Sequence, residues 1–475
     1  MSRAQQTLVL TTGHLWSILT SEMSSKILIV GAGSFFTNFW IRDIALIPGL
    51  EGGTFALVDV DPVRLKLAVD TARRTLEKLG KEKKWRIIAS VHREELMPDT
   101  NYLINTIEVS GTETVRYDYE IPKRYGVDQC IGDTIGPGGI MKALRTIPVW
   151  LGILRDAERL CPDALVLNYT NPMSMMVLAA GMTTDLPVIG LCHSVQHTSR
   201  QLAEYTGVPY KELEWECAGI NHMSWFIKLR HNGRDLYPLL KEKAQEPGFY
   251  RQDPVRFEMM LQFGYFPTES SGHFSEYVPY FRKRPDLIAR YCGPGYKGES
   301  GFYANNWPRW RKKLDEVRKK WVAGYEITDQ DIRESNLPSS ALDLNQRSDE
   351  YASYIIEAHL TGKPMVVYGN VLNYGLIDNL PDEGVVEVPV VVDRTGFHPC
   401  KIGKLPSQLA ALDRACMAVH ELCVKGILQE DREAVIHALM LDPLTAAVCS
   451  PAEIREMAER LFEAERDYIP SFLTN

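Results

Sequence analysis

The sequence contains no CxxC pair, and its nine cysteines are scattered and odd in number. That excludes a disulfide framework and a dense structural zinc site, and it fits free thiols in a reducing cytosol. No stretch is long and apolar enough to cross a bilayer. A basic stripe is missing too: 53 lysines and arginines are interspersed with 61 acids, for a net charge of -8. Neither a nucleic-acid backbone nor an anionic membrane is therefore expected as partner, and a small solute is. Internal repeats, low-complexity tracts and Pro/Ser-rich linkers are absent. With 45% hydrophobic residues in 475, disorder is excluded and one large or two ordinary domains are expected. Residues 1–22 carry one basic residue and an interrupted apolar region, a poor match to a signal peptide. They read as an N-terminal extension before a second candidate start at Met23.

What is there becomes sharp from Lys26. "KILIVGAGS" is an apolar run ending in glycines, "FFTNFWIRDIALIP" has helical periodicity, and "GTFALVDVD" is a second apolar run ending in acids. Strand, glycine turn, helix and strand in that order form a dinucleotide-binding pattern. Gly31 and Gly33 let a pyrophosphate approach the backbone at a helix N-terminus, and Asp59 can accept hydrogen bonds from both ribose hydroxyls. Phe36 stands where the third glycine of the fingerprint is usual. Alternation continues through "TNYLINTIEV", the long helical "GGIMKALRTIPVWLGILRDAERLCP", "ALVLNYTNP" and "PVIGLCHS", with polar residues after each strand. An open parallel sheet presents its ligand crevice there. After about residue 210 the pattern mixes: "LEWECAGINHMSWFIKL" alternates like a strand pair, and 340–360 and 405–465 are helix-rich. The fold expected is α/β: a Rossmann-like NAD-binding half over 23–210, of the lactate/malate dehydrogenase kind, followed by an α+β half over 211–475 for substrate, metal and oligomerisation.

Cys192 and His222, in "GLCHS" and "AGINHM", lie at different strand ends. A thiolate and imidazole pair suits a borderline divalent ion with open positions, although a buried cysteine and a satisfied histidine are the commoner meaning of such residues. Cys192 and His193 are adjacent, so their side chains diverge and do not make a nucleophile with its base. "NYTNP" offers Asn168 and Asn171 for sugar or cofactor hydroxyls, or merely as turn residues before Pro172. "GDTIGPGG" offers Asp133 and Thr134 in a stretch too glycine-rich for regular structure. "GYFPTESSGHFSEY" packs Glu269, Ser270, Ser271, His273, Glu276 and Tyr277 together, dense for a connector.

Taken in order with "YGNVLNYGLIDNLP" and "VEVPVVVDRTGFHPCKIGKLPSQLAAL", these segments resemble glycoside hydrolase family 4 from about Lys26 to the C-terminus, its bacterial α-galactosidases of the melibiase type most of all. The resemblance implies a hydrolase that uses NAD+ and a divalent metal, usually Mn2+, outside the two-carboxylate scheme. It implies oxidation at C3 of the sugar, proton loss at C2, elimination of the aglycone, water addition at C1 and return of the hydride. Matched by position, Gly31, Gly33, Ser34 and Asp59 serve the cofactor, with Asn168 beside them. Cys192 and His222 hold the metal, and Asn171 and Asp133 meet the substrate. His193 becomes a leaving-group acid or sugar contact. Tyr277 is the first choice for the C2 base and Glu269 the second. Gly272 departs from the family's acid in "ESSEH". The "CHS" form points to unphosphorylated α-galactosides such as melibiose and raffinose, with family α-glucosidases and α-galacturonidases or α-glucuronidases as alternatives. A homo-oligomer, dimer or tetramer, in the cytoplasm is implied as well. Two readings of other classes remain: an NAD-dependent hydroxy-acid dehydrogenase, which would show an arginine gripping a substrate carboxylate, and a dinucleotide-sensing regulator, which would leave the polar motifs idle.

Overall fold

In the computed structural model, which describes residues 24–337 and 343–474, the first apolar run forms strand β1 (Ser24–Val30). The expected extension 1–22 lies outside the described residues. Ile27, Leu28 and Ile29 are wholly buried, as befits a strand covered by helices on both faces. Each such side chain contributes roughly 1.5–3 kcal/mol by leaving water. Strands β2 (Gly52–Val58), β3 (Trp85–Ser90), β4 (Tyr102–Asn105), β5 (Leu165–Asn168) and β6 (Val188–Leu191) join it in the parallel order β3-β2-β1-β4-β5-β6. Helices α1 (Phe36–Ala45), α2 (Pro62–Lys78), α3 (Gly136–Leu160), α4 (Met173–Gly181) and α5 (Ser194–Thr206) lie along this part of the chain. The predicted α/β architecture with a Rossmann-like sheet is borne out.

The sheet does not stop at β6. The later chain supplies β7 (Leu213–Ile220), β8 (Met223–His231), β9 (Arg234–Asp235), helices α6 (Ser271–Tyr277), α7 (Phe302–Ala323) and α8 (Tyr351–Thr361), then β10 (Met365–Leu372), β11 (Val385–Asp393), β12 (Gly396–Pro399) and α9 (Ser407–Gln429). Strand β10 pairs antiparallel with β6 through Asn370 and Gly190, β11 follows β10, and β7, β8 and β9 complete the edge. Strand β12 pairs with β11 off this path. One sheet therefore carries both the glycine loop after β1 and the β7–β8 hairpin.

Two expectations are corrected. "GPGG" is regular structure, because α3 begins at Gly136. A Cβ at Gly138 would lie 2.2 Å from the Gly132 carbonyl oxygen and one at Gly139 2.5 Å from the Thr134 carbonyl carbon, so the glycines serve close packing of the preceding loop against the helix. "SGHFSEY" is the buried helix α6, with the Ser270 hydroxyl accepting the His273 N–H at its start. Among the described residues no helix is long and apolar enough to cross a membrane.

Candidate active site

The parallel strands all present their C-terminal ends to one edge, and the residues just beyond them build the site. After β1, the N–H groups of Gly31 and Ala32 donate to the Val58 carbonyl at 2.9 and 2.8 Å, which folds the loop back over β2. Gly31 has φ +86°, and a Cβ there would lie 2.5 Å from the Thr106 oxygen. Asp59, beyond β2, accepts the Gly33 N–H at 2.7 Å and the Asp61 N–H at 3.0 Å. Each of its oxygens keeps a lone pair for a ribose hydroxyl. At the start of α1 the Ser34 hydroxyl accepts the Phe36 N–H at 3.3 Å and the N-cap residue Phe35 adds no side-chain cap, so this helix start can still offer N–H groups and the Ser34 hydroxyl proton to an anion. Arg64 and Arg318 donate to the Gly33 carbonyl at 2.6 and 2.8 Å and clamp the loop from α2 and α7. A pyrophosphate nucleotide fits this cradle.

Cys192 follows β6, and His222 is the second residue of the turn between β7 and β8, held at φ +63°. That left-handed conformation is costly for a non-glycine residue and is typical of side chains aimed at a site. His222 Nε2 lies 3.3 Å from the Cys192 sulfur and 3.5 Å from Glu269 Oε2. Ligand atoms of Cys192, His222 and Glu269 all fall within 4.8 Å of one another. A soft thiolate, an imidazole and a carboxylate suit a borderline divalent ion with positions left open. Burial, with the nearby Glu387 and Glu269 carboxylates, pushes the Cys192 thiol far up, and a divalent cation would reverse that. The donor set thus fits a metal.

Around this trio the groups are oriented by one another. Burial opposes the charge on Glu269, but His222 and His273 outweigh it and hold the carboxyl below its usual range. Asp133 is lowered in the same way, burial being outweighed by Lys142, His273 and His222. It accepts from the Asn171 amide at 3.2 Å and lies 3.6 Å from the Lys142 ammonium, which also donates to Glu108 at 3.2 Å. The Tyr277 hydroxyl donates to Thr134 Oγ1 at 2.9 Å, and burial raises its phenol far above the usual range. His193 turns away from Cys192 toward Phe36, His197 and Glu350, whose carboxyl lies 3.5 Å from its Nδ1. Desolvation lowers the His193 pKa, Glu269 opposing and His222 assisting. Burial, with Asp43, raises Glu350 to about 7.

The structure therefore gathers Cys192, His222, Glu269, Asp133, Asn171 and Tyr277 in one place, with Gly31, Gly33, Ser34 and Asp59 along the same edge. Asn168 is placed differently from the cofactor contact expected of it. It is wholly buried, accepting from the Asn105 amide at 2.8 Å and donating to the Thr170 carbonyl at 3.0 Å. Its side chain braces the loop that carries Asn171. Lys142, Glu108, Glu350 and the clamping arginines escaped the sequence analysis. Lys142 looks like any polar residue of a helix, and Glu350 lies far along the chain from His193.

The comparisons agree with this geometry. A model described as "Family 4 glycosyl hydrolase" matches residues 26–208, and one described as "Family 4 glycosyl hydrolase C-terminal domain" matches 217–445. An α-galactosidase of Bacillus subtilis (strain 168) is 40% identical over 458 residues, 94% of this chain and 99% of its own length. An α-galactosidase of Rhizobium meliloti (strain 1021) is 36% identical over 455 residues, 94% of this chain and 90% of its own. A 6-phospho-α-glucosidase from gut microorganisms, solved in complex with NAD and Mn2+, shares the fold with a TM-score of 0.77 at 19% identity, over 94% of this chain and 99% of its own.

Proposed function

The chain belongs to family 4 of the glycosyl hydrolases, and from that premise we propose that it hydrolyses terminal α-galactosides of the melibiose and raffinose type with NAD+ and a divalent ion, Mn2+ foremost. The observation that carries the reading is the convergence of Cys192, His222 and Glu269 within 4.8 Å, on the sheet edge that also bears the glycine loop. The α-galactosidases 40% and 36% identical over nearly the whole chain support the sugar.

Bound NAD+ supplies a hydride acceptor for C3 and the divalent ion a Lewis acid for the sugar oxygens, so that the C2 proton becomes acidic and no net redox occurs. The chain's residues do the rest. Gly31, Gly33 and Ser34 receive the pyrophosphate and Asp59 the ribose. Cys192 and His222 hold the ion, while Asp133 and Asn171 hold sugar hydroxyls, Lys142 keeping Asp133 ionised. With Cys192 and His222 as the ligands, the Glu269 carboxylate, 3.5 Å from His222 Nε2 and held below its usual range, is left to take the C2 proton. Tyr277, preferred on the sequence, donates its proton to Thr134 and would have to lose it in a buried site. His193, 3.5 Å from the Glu350 carboxyl, serves as the donor to the leaving oxygen. We read the chain further as a cytoplasmic homo-oligomer, dimer or tetramer, which light scattering tests.

Release of p-nitrophenol from its α-galactoside is expected to stop when NAD+ or Mn2+ is omitted. Activity that survives both cofactor removal and chelation would sink the mechanism. A substrate deuterated at C2 is expected to lose its label to solvent, whereas full retention would argue for ordinary displacement.

A further inference from the structure

His222 has two ring nitrogens, and only Nε2 faces Cys192 and Glu269. For Nε2 to offer a lone pair, the ring proton must sit on Nδ1 and find an acceptor there. His273 Nε2 lies 2.8 Å from that nitrogen, and Thr134 Oγ1 lies 3.5 Å away. On the far side of the His273 ring, Nδ1 lies 3.0 Å from Glu276 Oε2. His273 and Glu276 sit one turn apart on α6, so one helix face aims both inward. Glu276 is wholly buried among fixed donors: its Oε1 accepts the N–H groups of Cys130 and Ile131, and its Oε2 that of Gly132 at 3.0 Å. All three backbone groups are donors, with no acceptor among them.

We infer that Glu276 and His273 are positioning residues that set the tautomer of His222. The order of donation is Glu276 accepting from His273 Nδ1–H, His273 Nε2 accepting from His222 Nδ1–H, and His222 Nε2 left bare toward the metal. The reverse tautomer of His273 would drive a proton onto His222 Nε2, where a ligand lone pair is needed. Thr134 Oγ1, which accepts from the Tyr277 hydroxyl at 2.9 Å, packs 2.7 Å from the same His273 nitrogen, whose one lone pair is taken by His222 Nδ1–H. The loop over 130–132 thus reaches the metal position through three side chains.

The inference rests on the metal role of His222 in the proposed function, and the test separates the two. In Glu276→Gln, one oxygen still accepts from Cys130 and Ile131, but the new amide faces the Gly132 N–H and His273 Nδ1 as a donor. That favours the reverse tautomer. Mn2+ affinity of the full-length protein, read from the electron paramagnetic resonance of free Mn2+, is expected to fall about 10–100-fold, the usual effect of losing an outer partner of a metal ligand. NADH affinity, read by fluorescence, should stay within twofold. His273→Gln, whose longer side chain carries an amide carbonyl to the Nε2 position to accept from His222 Nδ1–H, is expected to retain more Mn2+ affinity than His273→Leu, and that order holds the test if Glu276→Gln does not fold. Equal Mn2+ affinity in wild type and Glu276→Gln, or in the two His273 variants, would overturn the inference alone. Wild-type protein without Mn2+ affinity would instead overturn the metal reading beneath it.

Discussion

Glu269 and Tyr277 flank helix α6 and both point toward His222, yet only one of them is poised to accept a proton. Burial acts on both, raising a phenol and a carboxyl alike. For Glu269 the charged forms of the neighbouring imidazoles more than compensate, and a divalent ion would do the same once His222 is its neutral ligand, whereas Tyr277 has only the Thr134 hydroxyl to offset it. Glu269→Gln is accordingly expected to lower kcat by roughly 10²–10⁴-fold and to abolish washout of a C2 deuterium, with NADH affinity unchanged. Tyr277→Phe is expected to retain washout, and loss of washout in Tyr277→Phe with its survival in Glu269→Gln would reverse the assignment. Sequence alone could not decide between them, because ionisation here depends on His222 and His273, which approach from other parts of the chain. Cys192 and His222, by contrast, were paired in the sequence through the family resemblance, since by pattern alone a buried cysteine and a satisfied histidine are the commoner meaning of such residues.

The turn from β1 to α1 is the element whose conformation is most tightly prescribed. A Cβ at Gly33 would come 2.6 Å from Asp59 Oδ2 and 2.9 Å from the Arg64 Cβ, so Gly33→Ala forces either the loop or the Asp59 carboxylate to move. NADH affinity measured by fluorescence is expected to fall at least tenfold, about 1.4 kcal/mol, with Mn2+ affinity unaffected, and an unchanged NADH affinity would show that the loop does not approach the cofactor. Elements differed in how plainly the sequence announced them. Strand β1 is a bare apolar run that has no other good use than burial. Helix α6 was hidden, because Ser and His are weak helix formers and Gly a poor one, and its stability comes from the Ser270 cap and from packing. Helix α3 begins earlier than its glycines suggest, because those glycines answer a close approach of the preceding loop.

At the scale of the molecule, a buried carboxyl away from the site gives stability a pH dependence. Burial raises Asp442, which caps the helix Pro443–Val448 through Thr445, to about 6. Its folded pKa thus exceeds that of the unfolded chain, ordinarily about 3.9. The folded protein holds the proton longer, so stability is lost as pH rises from about 4 through 6, by up to about 3 kcal/mol. Asp442→Asn, which keeps a capping oxygen for Thr445, is expected to raise the midpoint of thermal unfolding above wild type at pH 8 but not at pH 4. An equal effect at both pH values would refute the assignment. Ligands that bind only the folded chain should also stabilise it, by about 2.7 kcal/mol at a hundred times their dissociation constant. Wild-type protein is expected to melt higher with NAD+ and higher again with Mn2+, the second increment vanishing on chelation. A melting point indifferent to both would contradict the cofactor reading.

The sequence by itself determined the parallel half of the sheet and the glycine turn with Asp59, and it placed Cys192 and His222 after strands. Hydrophobic runs, turn residues and rare side chains are local signals, readable without knowing what lies opposite. The tertiary structure alone decided the remaining matters: that β10 and β11 carry the sheet on from β6 to the hairpin of His222, that Glu269 joins Cys192 and His222, and that Asn168 faces inward. It also decided that Glu387, an acid in an apolar strand, is buried against the Ser224 hydroxyl at 2.7 Å. Each of these depends on a partner distant in the chain, and both the ionisation of a carboxyl and the tautomer of an imidazole are set by that partner.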